Sequence, residues 1–531
     1  MPRLSRRDIL TGGAAVAGLA MVPGSASAAV TAYMQAIAES AAADREIAAF
    51  YRETGFQPIW TGRSDGDQSR RRAFLEALTG TEIHGLPSRR YRPDQLVAQF
   101  GAVQSERDLG KLEVELSRVY LQYARDMQTG AITPRSADSQ IVREVPYRDR
   151  TALLRELGTS SPTGAVDGLT PQTGEYRALL KEKLRLEEVV RRGGWGPEVP
   201  ERKLERGDSG GAIVDLRNRL IRMGYMRRTA SAEYGDRMMR AVGAFQSDHG
   251  LTPDGVAGVS TLQEINRSAR ERLSQILVAM ERERWLNFEG GRGKRHVYVN
   301  LTDFRTKLLD DGKVTFQTKS VVGQSLIDKR TPEFSDKMEH MEINPDWTVP
   351  RTILGRDYLP VWRQNPHAKG YLQIIDRRGR VVPRQYVDFW SYNHKNFPYT
   401  VRQAPGPRNA LGTVKFMFPN PYAIYLHDTP DRHLFEREVR DYSSGCIRLY
   451  RPHDFAYVLL QRQMADPQPY FQNILSSGQQ TKVMLDEPFP VHIDYRTAFS
   501  VPKERMQYRR DIYGRDERIW TALSAAGVTL A

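Results

Sequence analysis

From residue 29 to about residue 200, apolar positions recur at helical spacing in Ala/Glu/Leu/Arg-rich windows, clearest from Glu113 to Met127 and from Gly174 to Arg191. This periodicity predicts a mostly helical unit. Pro, Gly and Ser clusters interrupt it, as between Thr159 and Thr173, and the run from Phe50 to Trp60 is dense in aromatics and reads as a hydrophobic corner packed on the first helix. From Leu204 to Asn266 the texture tightens. Val214, Leu216, Leu220 and Met223 form a helical stripe that Gly224 stops, and Met239 to His249 predicts a second helix closed by Gly250, glycine being a common helix C-cap. A charged helix follows and ends near Trp285. Beyond it the period drops to two: His296–Leu301, Thr315–Val322, Val414–Phe418 and Ala423–His427 alternate between turns of Gly, Asp and Pro, which predicts a largely β unit. Between these strands, at about 355–403, lies a Pro-, Trp- and Tyr-rich insertion. Its Trp362, Trp390, Tyr392 and Tyr399 either line a groove or pack an irregular segment against the sheet.

Composition narrows the class. At 531 residues the chain exceeds a single core, and about 150 residues per domain gives three or four units. Hydrophobic residues make 40% and charged residues 27%, which excludes a disordered, collagen-like or coiled-coil chain. The net charge of +14 favours a polyanionic partner, be it nucleic acid, anionic lipid or an acidic polymer. The N-terminus decides among these. Ser5-Arg6-Arg7-Asp8-Ile9-Leu10, an apolar Gly/Ala-rich run from Thr11 to Val22, and Ala26-Ser27-Ala28 read as a twin-arginine export signal cleaved after Ala28. The run falls short of the roughly 20 residues that span a bilayer, and Gly12, Gly13 and Gly18 break it. No later segment is long and apolar enough to cross a membrane. The expectation is therefore a periplasmic protein without an integral membrane segment after cleavage, and export disfavours nucleic acid as the partner.

Export also sharpens the meaning of the single cysteine. In an oxidising compartment cysteines usually pair, yet Cys446 has no intramolecular partner. It is an inert buried thiol, an intermolecular disulfide or a nucleophile. His427 ends a strand-like run, and nineteen residues later stands Ser443-Ser444-Gly445-Cys446-Ile447-Arg448-Leu449. A thiol with pKa near 8.5 is only about 3% thiolate at pH 7, so a catalytic cysteine needs a neighbouring imidazole or cation. His427 and Arg448 are candidates. Gly445 allows backbone N–H groups to approach a carbonyl, as an oxyanion hole requires. A zinc site from Cys446, His427, His433 and His453 is the rival, but the spacing lacks the paired ligands of a zinc knuckle.

Two resemblances rest on these residues. Ala244-Phe245-Gln246 through Gly250-Leu251, Asp254-Gly255, Gly258 and Thr261 resembles the three-helix peptidoglycan-binding module of wall hydrolases, in which the glycines and aspartate shape the turn between helices. Asn420-Pro421-Tyr422-Ala423-Ile424-Tyr425-Leu426-His427-Asp428-Thr429-Pro430 followed by Ser443-Ser444-Gly445-Cys446-Ile447-Arg448 resembles the signature of the L,D-transpeptidases with a YkuD-type catalytic domain. Asn344 to Pro350, Arg402 to Pro407 and Asp511 to Asp516 are similar to the long, YcbB-like subgroup. The resemblance implies an α+β multidomain chain: signal 1–28, helical scaffold 29–200, peptidoglycan-binding module 204–267, linking helix 268–293, mainly β catalytic domain 294–500 with a capping insertion at about 355–403, and C-terminal tail 501–531.

It further implies that Cys446 attacks the third, diaminopimelate residue of a tetrapeptide stem, expels D-alanine and forms a thioester that a second diaminopimelate amine resolves as a 3→3 cross-link. His427 would be the base, and the Gly445 and Cys446 amides the oxyanion donors. Arg448 would hold the loop or a substrate carboxylate, with Trp347, Tyr425 and Ser444 lining the cleft. No cofactor or metal is implied. Peptidoglycan is the expected partner, with wall-synthesis proteins beside it. The alternatives are an L,D-carboxypeptidase, attachment of an envelope protein or D-amino acid through the same acyl-enzyme, and a non-catalytic wall-binding protein. Shorter family members carry His-Gly-Thr and a second His before Gly-Cys, where this chain has Asp428 and Ser444. That leaves His427 as base without a competitor. A triad role for Asp428 is disfavoured, because neighbouring side chains on a strand face opposite ways.

Overall fold

The computed structural model describes residues 30–530, so the expected export signal lies outside the described residues. The chain opens with α1 (Ala32–Ala41) and α2 (Arg45–Glu53), whose N-termini are capped by Thr31 and Asp44 side chains. α3 (Asp65–Thr79) and the 24-residue α4 (Glu106–Thr129) complete the first core, with α5 (Arg150–Thr159) behind them. Gly110 sets how closely α1 and α4 approach, since a Cβ there would fall 2.6 Å from Tyr33 O. Glu113, buried in the middle of α4, accepts from Tyr51 Oη (2.8 Å), Ile59 N (2.7 Å) and Thr61 N (2.8 Å). The aromatic run Phe50–Trp60 thus folds around one buried carboxylate, with Tyr51 and Trp60 wholly enclosed.

α6 (Gly174–Arg191) leads to a compact module of α7 (Gly211–Arg222), α8 (Asp236–Asp248) and α9 (Val259–Asn266), with its own core of Ile213, Leu216, Leu220, Val242, Phe245 and Leu262. Leu216 and Leu220 face inward as their spacing predicts. Ile213 rather than Val214 completes the stripe, because Val214 is rotated to a half-buried position. Gln246 explains the motif that follows it: its amide donates to Asp254 Oδ1 and Val256 O and accepts from Gly255 N, which ties the end of α8 to the turn before α9.

α10 (Ala269–Trp285) starts at a Ser268/Glu271 capping box. Fourteen of its 17 residues are buried, among them Glu281, Arg282, Glu283 and Arg284. Helical periodicity alone does not show how such a run tolerates burial. The answer is partners from distant segments: Arg282 and Arg515 both engage Glu333, and Glu283 meets Arg292 at 2.6 Å and Arg496 at 2.7 Å.

The β unit comprises β1 (Arg295–Asn300), β2 (Arg305–Asp310), β3 (Lys313–Gly323), β4 (Phe334–Ile343), β5 (Trp347–Thr348), β6 (Leu372–Ile375), β7 (Thr400–Gln403), β8 (Val414–Met417), β9 (Leu426–His427), β10 (Asp441–Ser443), β11 (Ile447–Leu449) and β12 (Thr481–Asp494). Its main sheet runs β10-β3-β11-β9-β8-β4-β12-β1-β2, and β2 pairs back to β3, so the ladder closes on itself. The interior is filled by Val299, Leu308, Met341, Phe416, Leu426 and Ile447, against which α11 (Pro452–Leu460) and α12 (Pro467–Ser476) pack Phe455 and Phe471. The insertion forms a separate three-stranded sheet, β5-β7-β6, with Trp362, Phe389 and Phe397 in its own core. Trp362 is therefore a packing residue; Tyr392 and Tyr399 pack half-buried on that core, and Trp390 stands 73% exposed. After residue 500 the chain pairs β13 (Ala498–Phe499) with β14 (Gln507–Tyr508), then α13 (Arg515–Ala525) lays Ile519 and Leu523 into the core that surrounds α10.

Candidate active site

Closure of the sheet brings two short strands together. β11 runs parallel to β9, with Ile447 opposite Leu426 and Arg448 opposite His427. Leu426 and Ile447 point into the core. Alternation then sends Tyr425, His427, Cys446 and Arg448 to the opposite face of this ladder. The core pattern thus forces the thiol, the imidazole and the guanidinium onto one surface.

The loop carrying Cys446 is held by hydroxyls. Thr331 Oγ1 donates to Gly445 O (2.7 Å) and accepts from Gly323 N (3.0 Å). Ser443 Oγ donates to Cys446 O (2.5 Å) and accepts from Gly445 N (3.1 Å). The Gly445 N–H, expected as an oxyanion donor, is thus engaged with Ser443 in this state. Gly445 itself sits at φ +127°, and an added Cβ would lie 3.2 Å from Ile424 Cδ1, so only glycine fits without strain. Ser443 stands in the motif, but its bonds within the loop do not show in sequence, and Thr331, which reaches the loop from beyond the end of β3, carries no motif signal.

Cys446 is half-buried, with its Sγ 3.4 Å from Ala423 O. Burial pushes the thiol up to about 11, against hydrogen bonding from Tyr425 and the positive charge of Arg448. His427 is buried, and burial together with the Arg448 cation pushes it down to about 3. Its Nδ1 is bonded to the Asp428 backbone carbonyl. The Leu411 backbone carbonyl is a second hydrogen-bond partner of the ring, so two carbonyls fix the plane of the imidazole. The Asp428 carboxylate is turned away, accepting from Thr413 N (2.9 Å) and Thr413 Oγ1 (2.8 Å). It is thus the backbone of Asp428 that orients the imidazole.

The other expected residues surround this pair. Tyr425 lies edge-on to His427 with ring centres 5.7 Å apart, and its hydroxyl is within hydrogen-bond reach of both Cys446 and the Trp347 indole. Trp347 belongs to the core of the insertion, so Tyr425 joins that insertion to the cysteine loop. Arg448 pairs with Asp431 at 2.9 Å. Ser444 is exposed, and its Oγ accepts from Arg356 at 3.1 Å. Arg356, in the irregular start of the insertion, also reaches Asp328 at 3.1 Å and Asp357 at 2.8 Å. Sequence reasoning passes over it because nothing in an irregular segment shows which residue bends back to the loop. Of the rival zinc ligands, His453 Nε2 is bonded to Thr413 Oγ1 at 2.7 Å and His433 is exposed.

Comparison with known proteins assigns families to three stretches of the chain. Residues 294–474 match the family described as L,D-transpeptidase catalytic domain, residues 45–183 match a scaffold domain, and residues 209–265 match the family described as "putative peptidoglycan binding domain". A Haemophilus influenzae protein named "Putative L,D-transpeptidase" is 33% identical over 225 residues, which span 42% of this chain and 45% of that relative. The chain therefore aligns with less than half the length of that protein. Among solved structures, an L,D-transpeptidase from Stackebrandtia nassauensis aligns over 57% of this chain and 98% of its own at 16% identity and TM-score 0.21. One from Xylanimonas cellulosilytica aligns over 56% of this chain and 100% of its own at 14% identity and TM-score 0.17. Residues 294–474 belong to the L,D-transpeptidase catalytic-domain family, joined in one chain to a scaffold domain and a peptidoglycan-binding domain.

Proposed function

We propose that the protein is a peptidoglycan L,D-transpeptidase that forms 3→3 cross-links through a thioester on Cys446. The observation that carries this reading is the shared face of β9 and β11, to which strand alternation sends Cys446, His427 and Arg448, with the imidazole Nδ1 bonded to a carbonyl. In the first half-reaction the Cys446 proton passes to His427 as sulfur attacks the carbonyl of the third stem residue, the imidazole giving up its Leu411 carbonyl to take it. The oxyanion falls toward the Cys446 amide and, once Ser443 releases it, the Gly445 amide. Collapse expels the terminal D-alanine, whose nitrogen takes the proton from His427. In the second, His427 removes a proton from the diaminopimelate side-chain amine of another stem as that amine attacks the thioester, and the thiol is restored. Arg448, Ser444, Tyr425 and Trp347 border the substrate, with Arg448 fixed by Asp431. The export signal and the wall-binding module fit a periplasmic site of action on peptidoglycan.

Intact-mass spectrometry of the protein with disaccharide-tetrapeptide, wild type against Cys446→Ala, tests this. The expected result is an adduct on the wild type alone, with loss of D-alanine and dimers linked between two diaminopimelates. Loss of D-alanine without dimers would make the enzyme a carboxypeptidase, and no adduct at all would leave a wall-binding protein.

A further inference from the structure

The three-helix module, α6 with the segment that follows it, and the residues after 500 converge on a cleft of about 340 Å³ that is separate from the Cys446 site. Trp195, Tyr225 and Tyr508 supply aromatic wall, and four arginines face it against two glutamates. Both glutamates are already satisfied. Glu182 accepts from Arg185 (2.6 Å) and Tyr508 Oη (2.7 Å), and Glu264 accepts from Arg272 (2.7 Å). Arg505 lies over Tyr225, 4.6 Å from the ring centre, and donates to Gly224 O.

Two donors remain without acceptors among the described residues. Trp195 is 5% exposed, yet its indole N–H has no partner, whereas a buried indole N–H usually finds one. The exposed side chain of Arg222 makes no hydrogen bond and no ion pair to any described residue. Its guanidinium occupies space that a side chain at position 196 would fill, since a Cβ on Gly196 would fall 2.0 Å from Arg222 Nη1. Arg185, Arg505 and Arg272 already lie over the rings of Trp195, Tyr225 and Tyr508, so what the cleft offers is an unused indole donor and a guanidinium, which suit a ligand with carbonyl and carboxylate acceptors.

We infer that this cleft is a second peptidoglycan site, in which Arg222 takes a stem-peptide carboxylate and the Trp195 N–H an acetamido or peptide carbonyl. This rests on the wall-acting reading above. It adds that the binding site is composite: Arg222 and Tyr225 come from the module, Trp195 from the segment after α6, and Arg505 and Tyr508 from the C-terminal segment. The module then binds wall through a surface that exists only when it is docked on the rest of the chain.

Hydrogen exchange of the full mature chain carrying Cys446→Ala, with and without soluble disaccharide-tetrapeptide, resolves the two sites. Protection is expected at 193–198, 222–226 and 505–508 as well as at 443–448. Adding Arg222→Ala, with the thermal midpoint unmoved, or, separately, Trp195→Phe, which shortens a buried core side chain and lowers the midpoint, is expected to weaken protection at the first three segments about tenfold in ligand concentration and leave 443–448 unchanged. Protection confined to 443–448, or protection of the cleft that ignores both substitutions in folded protein, overturns the inference while leaving the catalytic reading intact. Cleft protection without protection at 443–448 supports the inference and counts against the catalytic reading. N-acetylglucosamine trimer, which has no carboxylate, is expected to protect the cleft only weakly. Equal protection by this trimer with the same Arg222 dependence overturns the carboxylate assignment.

Discussion

At rest the Cys446 thiol and the His427 imidazole are both uncharged near neutrality, because burial holds the thiol at about 11 and the imidazole at about 3. With the thiol pKa at about 11, the thiolate fraction at pH 7 is roughly one part in 10⁴. In the proposed reaction, proton transfer is therefore part of the attack on substrate and not a preparation for it. Alkylation of the substrate-free protein by iodoacetamide is expected to be slower than that of a free cysteine at pH 7 and to climb through pH 11; a rate that levels off near pH 8.5 would contradict this. His427→Asn should leave that alkylation profile nearly unchanged while abolishing acylation by disaccharide-tetrapeptide. Gly445→Ala places a side chain at φ +127° against Ile424. Strain of about 1–3 kcal/mol should lower the thermal midpoint and displace the Cys446 amide, slowing acylation more than it weakens substrate binding. Cys446, His427 and Gly445 are legible in sequence because their chemistry lies in a short motif. Thr331, the bonds Ser443 makes and the Asp428 carbonyl are not, because hydroxyl and carbonyl partners are chosen by tertiary neighbours.

At the scale of elements, α10 shows where pattern reading stops. Its Glu-Arg-Glu-Arg run reads as a solvated face, yet it is enclosed because Glu333, Asp494, Arg496 and Arg515 arrive from elsewhere in the chain. Glu333 holds both Arg282 and Arg515. Glu333→Gln would leave two buried guanidiniums short of their counter-charge, and breaking a buried pair costs about 3–5 kcal/mol. A clear fall in the denaturation midpoint, with the secondary structure of the folded state retained, is the expected outcome. The insertion is the second such element. Its own sheet and aromatic core make it a folded piece, and Arg356 ties it to Ser444 beside the nucleophile. Arg356→Ala should slow acylation about threefold or more without moving the thermal midpoint, because it releases a surface tether and empties no core.

At the scale of the whole molecule, α13 and the β13–β14 pair lock the end of the chain onto α10. A chain truncated after Arg510 is expected to lose cooperative unfolding, as seen by calorimetry, since it uncovers buried Arg282 together with the apolar side of α10. The charge of +14 acts over longer distances. Retention on isolated sacculi should decline as salt rises, because screening shortens the reach of surface charge. The sequence by itself determined the order of the units, the switch from helical to strand periodicity, and which thiol and imidazole are the candidates for nucleophile and base, since each depends on residues close together in the chain. Only the tertiary structure decided how charged α10 is buried, how Ser443 and Thr331 hold the cysteine loop, and how Trp195, Arg222 and Arg505 come to share one cleft. Those outcomes depend on pairings between residues far apart in sequence, for which local periodicity carries no information.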